Sequence, residues 1–202
     1  MHHFDHLSDE DLAQKSLEDV AFFEELMRRY EQKLMRYILR ISHFCPQTAE
    51  EILQDVFLKV WKNINNFDAS VKFSSWIYRI THNETISLFR KFRARGEDQK
   101  MNLDEELFLP SKVDFIQDLD QEFSAQKIHQ ILDLMKSKYR EVLVLKFLEE
   151  KSYEEISDIL QKPDGTVATL INRAKEQFRE LASRHNISFS GRTNLRLRCS
   201  KK

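Results

Sequence analysis

The sequence predicts an all-α protein built from two small helical domains joined by an acidic linker. Three observations carry that expectation. Only 3 Gly and 3 Pro occur in 202 residues, against usual shares of roughly 7% and 5%, so few positions permit the tight turns that sheets need. Hydrophobic residues reach 41%, enough to build real cores, and they recur at helical spacing over long stretches. Between two such stretches lies a run of nine acids from Glu97 to Glu122 against Lys100 and Lys112 alone.

Along the chain, Ser8 and Asp11 form a capping box that opens a short helix. An apolar-periodic stretch follows from Val20 to about Phe44, and Pro46 is read as its end. The segment "TAEEILQDVFLKVWKNI" predicts a helix from about Thr48 to Ile64, "NNFDASVKF" a polar loop, and helix resumes near Ser75 and runs to about Arg95. These elements make a first domain over residues 1–95. Residues 96–123, acidic, weakly periodic and interrupted by Pro110, read as linker.

A second domain over 124–185 begins with "SAQKIHQILDLM" and continues with "KYREVLVLKFLEEK". Ser152 and Glu155 make another capping box, before a short helix with Ile156, Ile159 and Leu160 on one side. Pro163, Asp164 and Gly165 supply turn chemistry. Val167, Leu170, Ile171, Ala174, Phe178 and Leu181 then form one apolar stripe, with Thr169, Asn172, Arg173 and Glu176 opposite. The layout is that of a helix-turn-helix whose second helix can enter a major groove; an ordinary helical hairpin in a bundle has the same spacing. A basic tail over 186–202 shows no sustained periodicity.

The net charge of -1 conceals segregation. Eight acids stand against Lys15 alone from Asp5 to Glu25, while 184–202 carries Arg184, Arg192, Arg196, Arg198, Lys201, Lys202 and no acid. Such asymmetry points to a polyanion partner for some segments. The stretch "KFSSWIYRITHNETISLFRKFRAR", residues 72–95, interleaves six cations with Phe73, Trp76, Tyr78, Phe89 and Phe92. Rings that stack on unpaired bases and cations that hold phosphates would use that pattern; a helix with aromatic core residues and a solvated basic face would share it. On the preceding helix Leu53, Val56, Phe57, Val60 and Ile64 share one face, and Glu51, Gln54, Asp55, Leu58 and Lys62 lie opposite. Leu58 is either an anchor for a partner or a lone exposed leucine.

Cys45 and Cys199 lack metal or disulfide spacing, and His2, His3 and His6 sit on a terminus that does not preorganise ligands. No signal peptide and no membrane-length apolar run is present, so the expected location is cytoplasmic. With no nucleophile and base constellation, Gly-rich phosphate loop or metal set, neither catalysis nor a cofactor is expected.

Two blocks, "AEEILQDVFLKVWKNI" with "FSSWIYRITHNETISLFRKFRAR", and "KYREVLVLKFLEEKSYEEISDILQKPDGTVATLINRAKEQFREL", resemble the second and fourth conserved regions of bacterial sigma factors of the extracytoplasmic-function (ECF) type. "LSDEDLAQKSLEDVAFFEELMRRYEQKL" resembles the family's opening, so the likeness covers roughly residues 8–184. It implies a subunit that binds core RNA polymerase, directs it to promoters and helps open them. Glu51, Gln54, Asp55, Leu58 and Lys62 would dock on the coiled coil of the largest polymerase subunit.

Asn65, Phe67, Lys72, Phe73, Trp76, Arg79, His82, Asn83, Arg90 and Arg93 would hold the melted minus-10 element, with a flipped base near the loop. Thr166, Ala168, Thr169, Asn172, Arg173 and Lys175 would read the minus-35 duplex. The resemblance also admits an anti-sigma partner. Three departures stand out: Ser87 replaces the family's usual Asp, Ala168, Thr169 and Leu170 replace Lys, Ser and Arg, and Lys136 replaces Pro. The competing reading is a stand-alone helix-turn-helix regulator that binds duplex DNA without polymerase.

Overall fold

Ser8 caps the first helix as its sequence predicts: its Oγ accepts from the Asp11 N–H while the Asp11 carboxylate accepts from the Ser8 N–H. That helix, α1, spans Asp9–Lys15. In the computed structural model, which describes residues 4, 6–95 and 127–185, every regular element is helical. The all-α expectation holds there. The linker expected over 96–123 and the basic tail over 186–202 lie outside the described residues, as do His2 and His3.

Helix α2 spans Val20–Ile41, opened by Asp19, whose carboxylate accepts from the Ala21 N–H. Helix α3 spans Pro46–Asn63. Pro46 therefore starts α3 rather than merely ending α2, since a proline in the first turn sacrifices an N–H that has no helical partner there. A 3-10 turn over Ile64–Asn66 leads through a short loop to α4, Phe73–Ala94. Helix α4 begins earlier than the sequence suggested because a distant residue caps it: Glu10 of α1 accepts from the Phe73 N–H at 2.9 Å.

Arg29 ties the chain's start to α2. Its guanidinium bonds the Asp9 and Glu25 carboxylates and the carbonyls of Leu7 and Phe4. The Arg28 hydrogen bond, assisted by Arg29, holds Glu25 down at about 2. The core of this first unit is Leu34, Tyr37, Ile38, Val56, Val60, Phe73 and Ile77, all essentially without exposed surface.

The second unit starts with helix α5 over 127–133, then α6 over Ser137–Leu143, whose N-cap is Lys136. Arg140, 4% exposed, turns its guanidinium onto the carbonyls of Leu132, Asp133 and Met135, so it caps the end of α5 from inside the unit. Helix α6 runs into a π turn over Val144–Leu148. Helix α7, Tyr153–Leu160, carries the expected Ser152/Glu155 capping box.

What stops α7 is Gln161, in the left-handed region at φ 53. Pro163 then serves as N-cap of α8, Asp164–Arg184, so Asp164 and Gly165 belong to its first turn rather than to the stop. Ile156, Ile159, Val167, Ile171 and Ala174 are buried where α7 packs on α8 and α8 packs on α6.

The two units do not stand apart. Helix α7 packs along α4, and one apolar cluster runs from Leu12 to Ala174 through both.

Candidate nucleic-acid interface

Helix α3 buries Ile52, Leu53, Val56, Phe57 and Val60, and leaves Glu51, Gln54, Asp55, Leu58 and Lys62 exposed. Leu58 is 55% exposed, a large apolar surface in the middle of a charged face. The sequence reading missed Trp61, which lies one turn on from Leu58, is 42% exposed, and rests against Phe23 with ring centroids 4.9 Å apart. The i, i+3 spacing from Leu58 was the available signal.

The residues expected at the minus-10 element, on α4 and the loop before it, separate by where their side chains lie. Phe73 has no exposed surface: its ring is packed by Tyr30, Phe67 and Trp76 at centroid distances of 5.5, 5.4 and 5.7 Å. It belongs to the core and has nothing to offer a strand, a correction that follows from its place at the capped first turn. Trp76 and Asn83 line a cleft of about 300 Å³ together with Lys59, Asn63, Asn66, Ile80 and Glu84. Phe67 packs against the Trp76 ring at 5.2 Å, and Lys59 Nζ meets Glu84 Oε1 at 2.5 Å within the cleft. Lys59, Asn63 and Asn66 were not anticipated; the first two come from the end of α3 and Asn66 from the 3-10 turn that follows. Asn65 and Arg90 are exposed, Arg79 is half-buried, and the Arg93 side chain lies outside the described residues.

Lys72 and His82 meet the second unit, Lys72 while remaining exposed and His82 half-buried. Lys72 donates to Glu155 at 3.1 Å, and His82 Nε2 lies 4.0 Å from Glu141 while its Nδ1 is 3.2 Å from Tyr37 Oη. At about 100° per residue, positions 78 and 82 point away from 76, 80 and 83. Tyr78 and His82 therefore pack against the second unit, Tyr78 donating to Glu149 and His82 facing Glu141. Burial, reinforced by Lys162 and Arg90, pushes His82 down to about 4. Burial likewise pushes Glu141 up to about 7, against the pull of Lys162, Arg140 and Arg90. A neutral imidazole thus meets a carboxyl that readily keeps its proton.

In α8, Thr166, Thr169, Asn172 and Arg173 are exposed, and Ala168 and Lys175 are half-buried. The Thr169 hydroxyl donates to the Gly165 carbonyl at 2.8 Å. Lys175 Nζ sits 5.4 Å from the centre of the Phe147 ring. The outer face of α8 is exposed and carries Arg173 with Glu176 near it. Among the described residues no cluster of three metal-ligating side chains occurs, and no helix is long and apolar enough to cross a membrane.

A helical unit with an aromatic cleft, followed by a helix-turn-helix unit whose second helix stands open, defines a two-part all-α DNA-binding protein. Its parts match known models, Sigma-70 region 2 over residues 26–95 and Sigma-70, region 4 over residues 125–178. The chain belongs to the ECF RNA polymerase sigma factors of the sigma-70 family: it is 34% identical over 168 residues to the ECF RNA polymerase sigma factor SigW of Bacillus subtilis, covering 80% of this chain and 89% of that one. It is also 28% identical over 167 residues to the ECF RNA polymerase sigma factor SigE of Mycolicibacterium smegmatis, covering 81% of this chain and 63% of that one.

Two solved structures share the fold. CnrH in complex with the cytosolic domain of CnrY aligns with a TM-score of 0.65 at 20% identity, covering 87% of this chain and 97% of that one. The sigma factor RpoE in complex with the anti-sigma factor NepR from Bartonella quintana aligns with a TM-score of 0.64 at 22% identity, covering 80% and 96%.

Proposed function

We propose that this chain is a promoter-specificity subunit, without catalysis of its own, that joins core RNA polymerase, brings it to selected promoters and helps open them. It works in the cytoplasm, where polymerase and DNA are. The observation that carries the reading is the pairing of two separate surfaces in one chain: the exposed Leu58 amid the charged face of α3, and the Trp76 cleft one helix away. A stand-alone regulator has use for the helix-turn-helix but for neither of these.

Residues 1–95 then form the domain that takes polymerase and the minus-10 element, 96–123 the linker, and 124–185 the domain that takes the minus-35 element. Glu51, Gln54, Asp55, Leu58 and Lys62, with Trp61, dock on polymerase. Asn63, Asn66, Trp76 and Asn83 surround a base drawn out of the duplex, where stacking and amide hydrogen bonds offset the few kcal/mol of unpairing. Asn65, Phe67, Arg79 and Arg90 flank that base and its phosphates; Arg93 follows on the same helix. Thr166, Thr169, Asn172 and Arg173 meet the minus-35 duplex, with Ala168 and Lys175 at the edge of the contact. Two relatives in fold are in complex with protein partners, CnrH with the cytosolic domain of CnrY and RpoE with the anti-sigma factor NepR, and a partner of that kind fits this chain.

The deciding experiment is co-migration with sigma-free bacterial core RNA polymerase on size exclusion, comparing wild type with Leu58→Asp plus Gln54→Ala. Binding by wild type that is lost in the double variant is expected. Absence of wild-type binding, with polymerase from a suitable host, favours the stand-alone regulator.

A further inference from the structure

The helix-turn-helix carries the wrong sign of charge for the partner its outer face suits. From Tyr153 to Arg184 the cations are Lys162, Arg173, Lys175, Arg179 and Arg184, and six acids, Glu154, Glu155, Asp158, Asp164, Glu176 and Glu180, outnumber them. Helix α7 holds three of those acids and no cation. In α8 two of the cations are already engaged: Arg184 pairs with Glu180 at 2.6 Å, and Lys175 lies over the Phe147 ring. Arg173 and Arg179 are exposed, but so are Asp164, Glu176 and Glu180. A duplex carries one negative charge per about 1.7 Å of axis, and a protein with roughly six to ten phosphate contacts draws much of its affinity from them. The two helices lack the cations for that number.

The cations stand immediately beyond. Residues 186–202, outside the described residues, continue from the end of α8 with Arg192, Arg196, Arg198, Lys201 and Lys202 and no acid. Five cations against six acids leave the helix-turn-helix at a formal -1, and the five of the tail bring it to +4. Position matters as much as charge. A recognition helix meets base edges with its N-terminal residues, so the far end of α8, about 16 Å beyond Arg173, leads out toward the flanking phosphates. Residues 186–202 can reach up to about 56 Å when extended, more than the roughly 34 Å of one duplex turn. A segment tethered there meets phosphate at a high effective concentration, so charge alone suffices for it to add affinity.

We propose that residues 186–202 form a phosphate-binding arm that holds the duplex beside the minus-35 contact of α8. Its occupant is the sugar-phosphate backbone of duplex DNA. The arm carries no sequence information, and promoter choice stays with Thr169, Asn172 and Arg173. The proposal rests on the reading of α8 as the minus-35 helix and goes beyond it, by placing most of the charge that holds the duplex outside the helix-turn-helix.

The test measures binding of the full chain to a random-sequence duplex of about 30 base pairs by fluorescence anisotropy, across about 0.05 to 0.3 M salt. Arg192→Gln, Arg196→Gln, Arg198→Gln, Lys201→Gln and Lys202→Gln together should weaken binding at least about tenfold near 0.1 M salt. They should also flatten the slope of log affinity against log salt by up to about 4.5, at about 0.9 per phosphate contact. Arg192→Lys, Arg196→Lys and Arg198→Lys together should keep affinity within about threefold of wild type, because phosphates are met by charge. Circular dichroism checks that both variants keep the helix content of wild type.

An unchanged salt slope in the Gln variant overturns the arm, and so does a Lys variant as weak as the Gln variant. A Gln variant that keeps its DNA affinity but no longer sediments with phosphatidylglycerol vesicles also overturns it, and assigns these cations to a membrane surface. Asn172→Ala with Arg173→Ala tests the reading of α8 separately. If that pair leaves duplex binding unchanged while the Gln variant weakens it, the groove contact fails and the arm stands.

Discussion

Tyr78 donates its hydroxyl to Glu149 across 71 positions of chain, a bond of 2.7 Å between the aromatic helix of one unit and the segment before α7 of the other. Burial and the adjacent carboxylate raise the phenol well above its ordinary range, so it stays a donor at any physiological pH. Hydrogen bonds to charged groups contribute about 1.5–3 kcal/mol. Tyr78→Phe keeps the ring beneath the Lys151 ammonium and removes only the donor, so it should lower stability by about 2 kcal/mol in urea unfolding. In a Glu149→Ala background the same substitution should cost under about 0.5 kcal/mol. Equal losses in both backgrounds would show that the two residues are not coupled.

The His82 and Glu141 pair predicts a pH profile that only substitution reveals. Glu141 is raised from 4.5 to about 7, so its contribution to stability is complete below its unfolded value and disappears as pH rises through 7. His82 is lowered from 6.5 to about 4, so its contribution is present above 6.5 and disappears as pH falls through 4. Between these unfolded values the two slopes oppose each other, and the pair leaves wild type nearly flat. Glu141→Gln should expose the histidine slope: stability should fall on acidification from pH 6.5 to 4, by up to about 1.4 kcal/mol per pH unit. Chemical unfolding across pH 4 to 8 measures it, and a variant as flat as wild type contradicts the assignment.

Arg140 is a buried cation whose partners are carbonyls rather than a carboxylate, and burial lowers its pKa accordingly. Arg140→Met should leave the carbonyls of Leu132, Asp133 and Met135 without their donor and destabilise the second unit by about 3 kcal/mol. Arg140→Lys should recover only part of this, because a single ammonium cannot reproduce the fork of the guanidinium. Thermal unfolding of the three chains ranks them.

Strand opening gives a functional prediction. Trp76→Ala with Arg79→Ala should reduce transcription from a duplex promoter tenfold or more, since stacking contributes about 1–3 kcal/mol per base. A template with a pre-melted bubble should be affected far less. Equal losses on both templates would mean that the cleft does not take part in melting, and circular dichroism checks that the variant remains folded.

The fold was legible wherever a local rule decides the outcome. Ser8 with Asp11 and Ser152 with Glu155 announce their helices because a capping box satisfies two backbone donors within four residues. The apolar faces of α3 and α8 follow from spacing alone. Readings failed where a residue can serve two ends. Pro46 suits both the end of one helix and the first turn of the next, and Pro163 to Gly165 proved to begin α8 because Gln161 had already turned the chain.

At the candidate site, Leu58 and Trp76 could be named from their neighbours, while Phe73 was misplaced because an aromatic in an amphipathic helix carries no mark of which ring is covered. The partnership of Glu149 with Arg40 and Tyr78 left no trace in the sequence. "FLEEKS" is an ordinary polar connection, and only the way α7 lies on α4 gives one of its two adjacent acids a destination.

The π turn over Val144–Leu148 fixes where the chain goes next. A turn of this kind holds one residue more than an α turn. Deleting one residue there would let α6 continue as ordinary helix with its core stripe intact, but would swing whatever follows by about 100°. The one extra residue of the π turn therefore sets the direction in which Glu149 and α7 leave α6.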